Sequence, residues 1–188
     1  MAACVCPWWL GYRLVTPLRK LLQDPHRILA AYVREGMTVL EPGPGMGFFT
    51  LELARLVGPG GKIIAVDVQP KMLNTLMRRA RRAGLSKRII PRQPTEKGLG
   101  IEDYAGQVDF VLAFAVVHEL PSIEGFFKDA SVAMKTGGKL LLAEPTGHVN
   151  PQAWAKTLEA ARHAGLQQES TPTIKKSLAA LLNKEKSA

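Results

Sequence analysis

The sequence predicts an α/β fold, a seven-stranded and mostly parallel sheet with helices on both faces. Three observations lead there. Short runs rich in Val, Ile and Leu recur along the chain, at residues 37–41 (MTVLE), 62–67 (KIIAVD), 107–114 (QVDFVLAF) and 139–144 (KLLLAE). Segments of helical periodicity separate them, and glycine-rich breaks stand at the joints. Strand and helix alternating at this spacing calls for a parallel sheet with right-handed crossovers.

Each element has its own signal. The arm up to residue 35 is rich in Leu, Arg and aromatic residues, and two helices are expected in it, around Pro17 and Pro25. The first strand, 37–41, runs into a glycine turn and a helix over 48–57, which Gly58-Pro59-Gly60-Gly61 stops. The second strand is 62–67, and the helix over 71–83 ends at Gly84. Residues 88–92 make a weak third strand. In the fourth, 107–114, Val108, Phe110, Val111 and Leu112 are bunched as burial on both faces requires. Ser122 is a fitting N-cap for a helix that reaches Met134 and is closed by Thr136-Gly137-Gly138. The fifth strand is 139–144, a helix covers 151–164, and two last strands lie near 166–171 and 177–183. The expected organisation is a single domain over 1–188, with a helical arm or lid at 1–35 and the core at 36–188.

Composition removes several classes of function. At 46% hydrophobic and 22% charged the chain is an ordinary globular protein, and no stretch approaches the apolar length of a membrane span. The start lacks a basic leader, so no secretory signal is expected. Cys4 and Cys6 are too close to staple a fold, which suits a reducing, cytoplasmic setting. Two thiols without further ligands do not make a closed metal site, and no metal is expected. The net charge of +9 is concentrated between Lys71 and Arg92, where eight basic residues meet no acidic one. In the helical part Leu73, Leu76, Met77, Ala80 and Ala83 form one stripe and the arginines the opposite one. This is the pattern of a solvated outer face; a polyanion partner is the alternative, against which stands the lack of interleaved aromatics.

In parallel sheets ligands bind beyond the carboxyl ends of the strands, so residues just after strands carry the functional search. The sharpest motif there is Glu41-Pro42-Gly43-Pro44-Gly45-Met46-Gly47, between a strand and a helix. Glycines allow a tight turn and the close approach of a ligand, and a helix start offers unpaired N–H groups to an anion. Asp67, at the end of the second strand, is placed to accept ribose hydroxyls. A dinucleotide site would need G-x-G-x-x-G, but from Gly43 the third glycine falls on Phe48, which would obstruct a pyrophosphate.

These residues, with the Lys135-Thr136-Gly137-Gly138-Lys139 entry to the fifth strand, resemble class I S-adenosylmethionine-dependent methyltransferases over about residues 30–185. The resemblance implies a Rossmann-like core and S-adenosylmethionine as cofactor. By its pattern Glu41, Gly43, Pro44, Gly45 and Gly47 would hold the methionine end, Asp67 the ribose, and Val68 and Met72 the adenine. Thr95 stands where family members often carry an Asp that touches the adenine amine. Ala113, Phe114 and Ala115 would line the acceptor side.

Methyl transfer from a sulfonium needs alignment and desolvation, and a base only where the acceptor loses a proton. His118, with Glu119 beside it, is the candidate catalytic residue; a loop-capping role is the alternative. Glu144 and His148 read as pocket wall. Enzymes that methylate exocyclic base amines commonly carry an Asn/Asp-Pro-Pro-aromatic turn after the fourth strand, whereas here the sequence is AFAVVHEL. The pattern resembles the small-molecule branch that includes quinone-biosynthesis methyltransferases. Trp8, Trp9, Leu10, Tyr12 and Leu14 read as an apolar flap, which favours a hydrophobic acceptor. The expected function is therefore methylation of a small acceptor, by a monomer or homodimer. The alternatives are an RNA or protein methyltransferase recruited through the basic 71–92 face and a non-catalytic cofactor-binding module.

Overall fold

In the computed structural model, residues 23–96 and 98–185 are described. The expected helix around Pro17, both cysteines and the aromatic flap fall outside those residues. The fold class is as the sequence predicts, a seven-stranded sheet in an α/β protein. The contacts divide the chain at residue 94 into two units.

The first unit holds helix α1 (Pro25–Leu29), strand β1 (Thr38–Pro42), helix α2 (Thr50–Leu56), strand β2 (Lys62–Val66), helix α3 (Pro70–Arg82) and strand β3 (Ile89–Arg92). Its strands lie in the order β3-β2-β1, all parallel, with Thr38 opposite Lys62 and Ile63 opposite Ile89. Val39, Leu40, Ile63, Ile64 and Ala65 have no exposed surface, which explains the unbroken apolar runs. In α3, Met72, Leu73, Leu76 and Ala80 are buried, and the arginines lie outside that stripe. Pro70 opens the helix and Gly84, at φ +70°, follows its last turn.

The second unit holds β4 (Val108–Phe114), α4 (Ile123–Ala133), β5 (Met134–Pro145), α5 (Pro151–His163), β6 (Leu166–Ser170) and β7 (Ser177–Lys184). Strand β4 pairs parallel with β5, while β7 runs antiparallel to both β5 and β6. Ser122 caps α4, its hydroxyl accepting from the Gly125 N–H at 2.9 Å.

Two boundaries differ from expectation by more than one residue. Helix α2 begins at Thr50 rather than 48, because the glycine turn extends through Phe49. Strand β5 begins at Met134, without an intervening turn. Met134 pairs with Val108 and Lys139 with Phe110, and the register shift between those pairs absorbs residues 135–138 as an irregularity of the strand.

Candidate functional site

The glycine turn is fastened to the end of β2 at successive points. Gly43 N–H donates to the Val66 carbonyl at 2.8 Å, and Gly45 N–H donates to Asp67 Oδ2 at 3.2 Å. Gly47 N–H closes the turn on the Pro44 carbonyl at 2.9 Å. Arg79, from α3, donates to the carbonyl of Met46. The other oxygen of Asp67, Oδ1, accepts from Gln69 N–H at 2.8 Å.

The glycines answer different needs. Gly45 has φ +53°, and a Cβ there would meet nothing within 4 Å. Space at that point is open, as a backbone approached by a ligand requires. Gly47, at φ +85°, is a packing position, since a Cβ would overlap the Leu76 side chain.

Beneath the turn lies Glu41, 3% exposed. Burial pushes its carboxyl up from 4.5 to about 8, with the Asp67 charge adding to the rise. The Thr50 hydroxyl opposes it, from a position short of regular hydrogen-bond geometry, for Glu41 Oε2 and Thr50 Oγ1 both lack a partner. At neutral pH Glu41 is thus mainly a neutral acid.

Of the remaining first-unit residues, Pro44 and Met72 are buried and Val68 is 53% exposed. The structure brings Glu41, Gly43, Gly45, Gly47 and Asp67 together. The other predicted residues lie in the second unit. Thr95 is exposed and forms a two-way backbone pair with Gly98, at 2.8 and 3.3 Å. Ala113 and Phe114 are buried at the end of β4.

A second constellation starts where β4 ends. Ala115 has φ +55°, a left-handed conformation that costs a residue with a Cβ about 1–2 kcal/mol. Its N–H holds to β5 through the Ala143 carbonyl at 2.7 Å. The bend aims the next three residues at Glu144, which is 1% exposed. Val116 and Val117 N–H donate to Glu144 Oε1 at 3.3 and 2.8 Å, and His118 Nδ1 hydrogen-bonds Oε2. His118 itself is partly exposed, and its ring meets that of His148 edge-on at 5.6 Å. The Glu144 hydrogen bond raises the His118 pKa above its usual 6.5, against the effect of burial, and the Glu144 and Glu119 charges add to it. Sequence reasoning singled out His118 and missed its anchor. The available signal was a carboxylate closing the apolar run KLLLAE, where burial demands a partner.

Among the described residues no group of three or more His, Cys, Asp or Glu could hold a metal ion, and no helix is long and apolar enough to cross a membrane. The model of a family described as a methyltransferase domain matches residues 33–184. The chain belongs to that family. The cofactor this membership implies is S-adenosylmethionine, and the open backbone at Gly45, tied to the Asp67 carboxylate, fits such a ligand. The methyltransferase domain is similar to a SAM-dependent methyltransferase of known structure from Aquifex aeolicus, at 25% identity and TM-score 0.81, over 94% of this chain and 99% of that one. It is 29% identical over 112 residues to a ubiquinone/menaquinone biosynthesis C-methyltransferase of Pasteurella multocida, covering 60% of this chain and 41% of that protein. To a ribosomal protein L11 methyltransferase of Pelotomaculum thermopropionicum it is 30% identical over 115 residues, 61% of this chain and 34% of that protein. The chain spans less than half the length of these two curated relatives.

Proposed function

We propose that this methyltransferase domain transfers a methyl group from S-adenosylmethionine to a small, hydrophobic acceptor. The observation that carries the reading is the glycine turn locked to Asp67, with open space at Gly45. Bound there, the cofactor supplies an electrophilic methyl on a sulfonium, ready for in-line displacement. Gly43, Pro44, Gly45 and Gly47 shape the backbone that receives its methionine end, above the buried Glu41. Asp67 accepts ribose hydroxyls, and Val68 and Met72 are assigned to the adenine. Support for a small acceptor comes from the apolar turn after β4, which replaces the base-amine motif, and from the similarity to a quinone-biosynthesis enzyme.

One observation favours a second reading, an RNA acceptor. Arg78, Arg81 and Arg82 are exposed at i, i+3, i+4 spacing, and none pairs with a carboxylate among the described residues. Like charges at that spacing repel, which an anionic partner would relieve. Arg79 and Arg88 do not join them, since they donate to the Met46 and Ala54 carbonyls.

The two readings separate in one experiment. The protein is incubated with methyl-labelled S-adenosylmethionine and either quinols and phenols or total RNA. Label extracted into organic solvent is expected. Label in RNase-sensitive precipitate that disappears when Arg78, Arg81 and Arg82 are neutralised would support RNA and overturn the small-acceptor reading.

A further inference from the structure

Glu144 follows the buried apolar run of residues 140–143 near the end of β5, and it is almost wholly out of water. Such a carboxylate needs donors, and three come from consecutive residues, Val116, Val117 and His118. The left-handed turn at Ala115 is what brings all three into line. The two backbone donors take one oxygen, and the other is left to the imidazole.

This arrangement decides which face of the imidazole is active. With Nδ1–H donating to Glu144, the neutral ring carries its lone pair on Nε2. Nothing captures that lone pair within hydrogen-bond distance among the described residues: Glu119 Oε1 is 3.8 Å away and is an acceptor itself. The titratable groups around the ring are Glu144 from β5, Glu119 from the same turn and His148 from the loop after β5. Both carboxylates stabilise a positive ring, so protonation at Nε2 is favoured without a change of partner.

We propose that His118 is the catalytic base of this domain, that Glu144 positions it, and that the acceptor therefore belongs to the class that loses a proton on methylation. Hydroxyls, amines bearing hydrogen and acidic carbon acids are in that class; thioethers and tertiary amines are not. This rests on the methyltransferase reading above. In the step, the acceptor atom forms a bond to the methyl carbon while the methyl–sulfur bond breaks with its electron pair going to sulfur, leaving a neutral thioether. The acceptor's proton passes to Nε2 of His118, and one positive charge moves from sulfonium to imidazolium. The proton then leaves to solvent.

The test begins without turnover. Nitrogen-edited NMR of the full chain is expected to show His118 protonated at Nδ1 when neutral and titrating above an ordinary histidine. In Glu144→Gln the midpoint should fall. A neutral ring protonated at Nε2, or an unmoved midpoint, overturns the proposal. Turnover is then read with phenols, quinols and primary amines on one side and thioethers and tertiary amines on the other. Methylation confined to the first set is expected. His118→Ala should lose roughly 100-fold or more in kcat, with partial rescue by imidazole. Glu144→Gln should move the acidic limb of the pH profile downward. Calorimetry with S-adenosylmethionine should show both variants binding within about twofold of wild type, which separates loss of the base from loss of the fold. Transfer surviving in His118→Ala overturns this proposal alone. A wild type that methylates neither set overturns the underlying reading and this one with it.

Discussion

Replacing Glu41 by Gln keeps the size and shape of a buried side chain and removes its titration. The native carboxyl titrates near 8, against 4.5 for an ordinary one. Between those values the native state holds a proton that the unfolded chain has released, so the stability Glu41 contributes is full below pH 4.5 and is lost as pH rises toward 8. For these two values the loss between pH 5 and 7 is about 2–3 kcal/mol, and it levels off above pH 8 at about 5 kcal/mol. His118 has a raised pKa as well and acts in the same direction, so the wild-type curve alone does not isolate Glu41. The difference between wild type and Glu41→Gln does. Urea unfolding of both proteins at pH 5, 6, 7 and 8 measures it. The wild type should lose about 2–3 kcal/mol relative to the variant between pH 5 and 7. A difference that stays constant within about 0.5 kcal/mol over that range would refute the claim that the acid beneath the glycine turn is buried and neutral.

Two further predictions concern the glycine turn and the exposed arginines of α3. Gly47→Ala forces a Cβ into a left-handed position and against Leu76, and should destabilise by about 2–4 kcal/mol in urea; a loss under about 1 kcal/mol would contradict the packing role. The RNA reading requires salt-dependent retention on RNA, and neutralising Arg78, Arg81 and Arg82 should abolish any such retention.

Much of the fold was legible because its signals are local. The bunched apolar residues of β4 are buried as their pattern requires, and Ser122 caps α4 as its position suggests. The start of β5 was not legible, since Lys135-Thr136-Gly137-Gly138 has the composition of a turn and only pairing with β4 draws it into the strand. The same divide runs through the site. Gly45 and Asp67 announce themselves by spacing, and they do meet. Glu144 and His118 are 26 residues apart, and nothing local couples them; the bond exists because β4 and β5 are neighbours. Arg79 and Arg88 read as surface charge in the sequence, yet each ends on a backbone carbonyl. Long side chains choose partners that a periodicity does not record.

The cofactor and the carboxylate assigned to its ribose carry the proposed function most directly. Isothermal calorimetry of S-adenosylmethionine into wild type and Asp67→Ala tests both together. Saturable binding to wild type, weakened roughly 10- to 100-fold by the substitution, is expected from the loss of charge-assisted hydrogen bonds. No heat of binding at millimolar cofactor, or equal affinity in the two proteins, would contradict it.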